Sequence, residues 1–201
     1  MKRALGRNAL RQARVNVPGT MEEISWSLYD FVTYAAAGQI LSTFFQTTAG
    51  KTTVDTNMTL PGQLPAGQAF LVTGISFEFQ PATAPSQAAG NLAANDVYAV
   101  SNSGFVQFKI GSKFYAQNSP LGIFPPTYGL DGWGATAVGA TQLNHSYARI
   151  AGTPHSIIPV ELTANQNFDV TVSWPTAVAL PSAVAGRLGC RLHGRLFRNA
   201  Q

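Results

Sequence analysis

The chain has 201 residues, enough for one domain with a sizeable core. Hydrophobic residues make up 45% of it, which excludes a disordered chain, whereas only 11% are charged, against about 25% in an ordinary soluble domain. A free monomer keeps itself soluble with surface charge, so the deficit favours a protein whose flanks are covered by partners; a surface of Ser, Thr, Asn and Gln is the competing explanation.

Charge is also segregated. Lys2, Arg3, Arg7, Arg11 and Arg14 fall in the first fourteen residues, which hold no acid, and Arg187, Arg191, Arg195 and Arg198 lie near the other end. All nine acids lie between Glu22 and Asp169. Residues 15–186 therefore carry four cations (Lys51, Lys109, Lys113 and Arg149) against nine acids, and the net +4 describes neither the body nor the termini. Basic ends on such a body suit a polyanion or an acidic surface.

In chain order, residues 1–19 read as a basic N-terminal arm. Ala, Leu, Arg and Gln are good helix formers, and Arg3, Arg7, Arg11 and Arg14 share one helical face. Pro18-Gly19 ends any helix there. The arm has no apolar run of the kind a secretory signal needs; an Arg-rich transit peptide is the competing reading. Residues 31–50 are uncharged, but too many Thr, Ser and Gln dilute them for a membrane span.

From residue 20 the hydrophobic period changes to two. Ile24, Trp26 and Leu28 alternate with Ser25, Ser27 and Tyr29, which is a half-buried strand. Residues 40–45 form a second. In 69–79, Phe70 and Val72 are in one phase and Ile75, Phe77 and Phe79 in the other, so a bulge is expected at Gly74. Residues 96–100, "DVYAV", read as a short strand. Residues 105–117 read as a hairpin turning at Gly111-Ser112. Further strands are expected at 145–150, 156–161, 168–174 and 188–197. Many short strands, long connections at 80–95 and 118–143, and no further helical period point to one all-β domain, residues 20–201, folded as a jelly-roll-like sandwich.

Catalytic chemistry is not in evidence. His145, His155 and His193 stand in no metal-ligand spacing, and no nucleophile elbow or phosphate loop occurs. Cys190, the only cysteine, alternates with Leu188 and Leu192 and reads as a core residue; with no disulfide possible, a reducing cytoplasm is favoured. Asp131 before Gly132 reads as a turn residue. No catalytic residue, metal site, cofactor or small-molecule substrate is expected.

An Arg-rich arm, a Pro-Gly break and an all-β domain resemble the jelly-roll coat proteins of small icosahedral viruses. Residues 157–198 are similar to the closing strands of capsid proteins of tailless bacteriophages: Leu162, Ala164, Asn165, Phe168 and Val170 match one motif, and Leu192, Gly194, Leu196 and Arg198 the last. The resemblance implies a virion structural protein, assembled in the host cytoplasm, whose partners are copies of itself and other virion proteins. Lys2, Arg3, Arg7, Arg11 and Arg14 would then face the interior and meet genomic nucleic acid, an internal membrane or neighbouring subunits. Arg187, Arg191, Arg195 and Arg198 are a weaker basic contact, and Arg191 and Arg195 are also placed to line one sheet face or guard an exposed strand. The rival is a carbohydrate- or cell-binding sandwich that stacks sugars on Tyr115, Tyr128 and Trp133.

Overall fold

The computed structural model of the chain describes residues 21–82, 92–127, 129–131, 147–149 and 152–199. The arm cations Lys2, Arg3, Arg7, Arg11 and Arg14 lie outside the described residues, as do Tyr128 and Trp133. In chain order the elements are β1 (Met21–Tyr34), β2 (Leu41–Phe44), β3 (Gln68–Gln80), α1 (Leu92–Ser103), β4 (Phe105–Ile110), β5 (Lys113–Pro120), a 3-10 turn (Leu121–Ile123), β6 (Gly129–Asp131), β7 (Tyr147–Arg149), β8 (His155–Thr163), β9 (Phe168–Ser173) and β10 (Gly186–Asn199).

Eight strands form two four-stranded antiparallel sheets, ordered β1-β10-β3-β8 and β2-β9-β4-β5, and β6 pairs with β7 in a small third one. The ladders are nested: β4 pairs with β5, β3 with β8, β2 with β9 and β1 with β10. This is the pairing of one long hairpin. Coiling that hairpin lays β10 against β3 and β9 against β4, and closes the two sheets face to face.

The core follows the period-two pattern. Val106, Phe108 and Ile110 of β4, Phe168, Val170 and Val172 of β9, and Leu188, Cys190 and Leu192 of β10 are all buried. The phase change expected in β3 is present. The register shifts between Val72 and Gly74, and the extra residue Thr73 donates its hydroxyl to the His193 carbonyl at 3.2 Å. Without that bulge Ile75, Phe77 and Phe79 would point out of the sandwich, because one residue of slip inverts every side chain beyond it. The β4–β5 hairpin turns at Gly111, whose φ of 58° is the left-handed conformation that favours glycine.

One element differs in kind from its expected form. Residues 96–100 are not a strand; they lie within α1. Among the described residues of α1, Ala93, Asp96 and Val100 are buried, a helical spacing of three and four. An acid in the middle of that stripe disguises it. Asp96 is fully buried, and its Oδ1 accepts a hydrogen bond from the Ser182 amide at 2.9 Å. Val97 and Tyr98, both strand formers, disguise it further. The connection from 118 to 143 also contains a strand that period alone does not show, β6, which ends at Asp131.

Candidate functional site

The described residues that stand out chemically lie on β10, whose arginines make four ion pairs and stack on aromatic rings. β10 is central in its sheet, between β1 and β3. Its even-numbered residues Leu188, Cys190, Leu192 and Leu196 are buried in the core, so Arg187, Arg191, His193 and Arg195 lie on the outer face. Period two thus places Arg191 and Arg195 on one face, as the sequence suggests.

Each of the four C-terminal arginines has a carboxylate of the same chain as its partner. Arg187 meets Asp55 at 2.6 Å, Arg191 meets Glu78 at 3.0 Å, Arg195 meets Glu23 at 2.6 Å and Arg198 meets Glu22 at 2.9 Å. Residues 15–201 carry eight cations against nine acids, so the terminal strand balances the body's acidity. Binding a polyanion through these side chains would first require these pairs to be exchanged. The five arm cations lie outside the described residues.

Aromatic rings complete this face. The Arg187 guanidinium lies 4.8 Å from the Phe31 ring centre, and that of Arg191 lies 5.6 Å from both Tyr29 and Phe31. Phe31 sits opposite Gly189 in the ladder and covers it: a Cβ at position 189 would lie 2.7 Å from Phe31 Cδ1. Gly189 is what lets Phe31 lie down on the sheet and be 95% buried on its outer side, where its accessibility is 5%.

Burial moves the acid–base groups here in opposite directions. Glu78, 4% exposed, has its carboxyl raised above its usual range by loss of water, with the hydrogen bond and charge of Arg191 opposing the rise. Its Oε2 has no hydrogen-bond partner. The Cys190 thiol is pushed far up by burial and then by the charge of Asp30, so it is an inert core group rather than a nucleophile. The His193 imidazole is lowered from its ordinary 6.5 by burial and by Arg191 beside it, and its Nε2 is 2.8 Å from the Ser76 hydroxyl.

A lowered histidine stabilises the fold only while it stays neutral. That contribution is present above pH 6.5 and is lost as pH falls through the lowered folded value. Urea midpoints measured across pH 7.5–5 (roughly this range) should fall for the native chain and fall less for His193→Gln. Equal slopes would remove His193 from the account.

Among the described residues, no group of three or more His, Cys, Asp and Glu is arranged to hold a metal ion. No described helix is long and apolar enough to cross a membrane.

Two other features are open to partners. A groove of about 700 Å³ runs between the edge strands β5 and β8, lined by Phe114, Tyr115, Ile157, Ile158 and Glu161 among others. Tyr115, one of the three aromatics in the sugar-stacking alternative, lies in this groove and is 46% exposed. A smaller cavity of about 280 Å³ lies between α1 and β3, bounded by Phe77, Phe79, Val97, Leu121 and Phe124. Sequence reasoning did not identify the groove, because its two walls are 40 residues apart and meet only through sheet closure. The chain matches no protein-family model, no curated protein and no solved structure.

Proposed function

We propose that this chain is a jelly-roll capsid protein that assembles with copies of itself into a closed icosahedral virion shell, its basic arm turned to the interior. The observation that carries this reading is the nested strand order. β1 pairs with β10, β2 with β9, β3 with β8 and β4 with β5, and the rolled hairpin leaves sheets β1-β10-β3-β8 and β2-β9-β4-β5. A jelly roll is such a rolled hairpin of eight strands. The inserted α1 and β6–β7 fall in its connections and leave the roll intact.

Charge supports the assembly half of the reading. The terminal arginines are answered by Glu22, Glu23, Asp55 and Glu78, so the roll is close to neutral and the excess of positive charge belongs to residues 1–14. A near-neutral body loses little hydration when its flanks meet copies of itself, and a short cationic arm can neutralise phosphates without reading sequence. The interior surface the arm meets is genomic nucleic acid, an anionic membrane or neighbouring subunits; the chain acts without catalysis or cofactor.

Purified full-length chain, examined by light scattering and electron microscopy, should yield megadalton particles of uniform size. A chain that stays monomeric or trimeric at all concentrations and salts removes the shell. Deleting residues 1–19 tests the arm. The urea midpoint of the domain should be unchanged, while particle closure becomes less uniform and co-purifying nucleic acid or lipid falls. Particles identical in size and content would eliminate the interior tether and leave the rest of the reading standing.

A further inference from the structure

We infer that copies of this chain join head to tail, the β5/β8 groove of one copy receiving the β1/β2 edge of the next. This rests on the self-assembly reading above and names the surfaces that perform it.

Strand order defines two opposite edges. β1 and β2 end their sheets on one side of the sandwich, β8 and β5 on the other. Both edges expose large apolar side chains. On the groove side, Ile158 is 87% exposed, with Phe114 at 47% and Tyr115 at 46%. On the opposite side, Ile40 is 63%, Leu41 52% and Val54 66% exposed. Exposed apolar side chains mark a contact surface, and two such sets on opposite edges of one subunit are what a heterologous contact requires.

The groove edges are built against main-chain pairing. Three residues of β8, Ile157, Ile158 and Pro159, stand where β3 has only Thr73 between the paired positions, so the strand bends and pushes Ile158 outward. Pro159 offers no N–H. β5 shifts register twice against β4 and ends at Pro120. These devices block indiscriminate strand addition while leaving the side chains exposed. The β1 edge is blocked differently. Its Tyr29 and Phe31 amides donate to Asn57 Oδ1 and the Asp55 carbonyl, at 2.9 and 2.8 Å. Contact at the groove and at β1 is therefore by side-chain packing.

Charge allows this occupant. At the β1/β2 edge, Lys51 pairs with Asp30 and Arg187 with Asp55, so that patch presents balanced charge. Glu161 lies in the groove wall formed by β8, and Lys113 precedes Phe114 in β5, again one of each sign. Two neutral apolar patches can meet without stripping water from an uncompensated charge.

Complementation tests the pairing. Ile158→Glu spoils the groove and leaves the other edge intact; Leu41→Glu does the reverse. Each full-length variant, checked for native circular dichroism and urea midpoint, should be monomeric by sedimentation at concentrations where the native chain assembles. Mixed one to one, they should form a dimer and stop, because only one intact groove and one intact opposite edge remain. A mixture that stays monomeric overturns the inference, as does either variant assembling like the native chain, or Leu41→Glu dimerising alone through two grooves. The N-terminal arm of another copy as the groove's occupant predicts that Leu41→Glu assembles like the native chain. Native chain that forms rings or open chains but no shell keeps the inference and removes the shell. Shells that persist in both variants do the opposite, and a native chain that never associates removes both.

Discussion

Gly194→Ala is expected to cost more than about 4 kcal/mol and to leave little folded protein at 37 °C (about body temperature), a loss in the exceptional range for one residue. Gly194 lies in β10, flanked by Trp26 of β1 and Val72 of β3. A Cβ there would be 2.9 Å from the Leu71 carbonyl carbon, and closer still to its oxygen. The obstacle is backbone, so no rotamer change relieves it. Moving β10 away would break one of its two ladders, each of which runs almost the whole strand. The adjoining bulge at Thr73 is what brings the Leu71 carbonyl so near, and the same bulge turns Ile75, Phe77 and Phe79 into the core. Overpacking against a fixed backbone therefore acts at the point where the sheet's register is set. Gly122→Ala is the control. Its nearest obstacle is the Ser101 carbonyl oxygen at 3.7 Å, an ordinary contact, and a change within about 0.5 kcal/mol is expected. Urea unfolding at constant m-value measures both. Equal stabilities for the two variants would overturn the assignment.

Asp30→Ala is expected to cost about 3–5 kcal/mol, the range for removing one partner of a buried ion pair. Asp30 is fully buried in β1, on the core side of the sheet. Oδ1 accepts from Lys51 Nζ at 2.6 Å, and Oδ2 accepts from the Phe45 amide at 2.7 Å. Phe45 has a φ of 68°, left-handed for a bulky residue, and its ring is fully buried against Phe168. One carboxylate thus holds the strained residue that ends β2 and the lysine that anchors the loop over β1. Alanine leaves the Phe45 N–H unpaired in the core and Lys51, 16% exposed, without its counter-charge. The double variant Asp30→Asn with Lys51→Met keeps an acceptor for Phe45 and removes both charges, so it should lose clearly less than Asp30→Ala. A single-variant loss below about 1 kcal/mol would show that the loop is held by something else. Because this loop also carries Val54, Asp30→Ala should weaken assembly along with stability.

Local patterns were legible where a strand buries one face against the core. The alternation in 168–174 and 188–197 gave β9 and β10, and the phase change around Gly74 gave the bulge in β3. Glycine chemistry gave the β4–β5 turn. The same logic failed at 96–100, because the buried stripe of α1 contains Asp96, whose Oδ1 accepts a hydrogen bond from an amide 86 residues away. Hydropathy cannot register a buried acid whose partner is remote. For the basic C-terminal strand, the partners of the charges are not legible along the chain. Counted along the chain, Arg187, Arg191, Arg195 and Arg198 look like a second cationic patch; folded, their charge is met by acids of β1, β3 and the 51–57 loop.

The amino-acid order alone determined that this is a β-rich chain with a cationic N-terminal segment, few charges elsewhere and a cysteine destined for the core, because each of those properties is local: composition, side-chain period and turn residues act within a few positions. Only the tertiary structure decided which strands are neighbours, which charges cancel and which apolar side chains stay exposed. Arg198 meets Glu22 across 176 residues, and Ile158 and Phe114 share a groove because two sheets close on each other. Such juxtapositions arise from packing of distant segments, which no local pattern encodes.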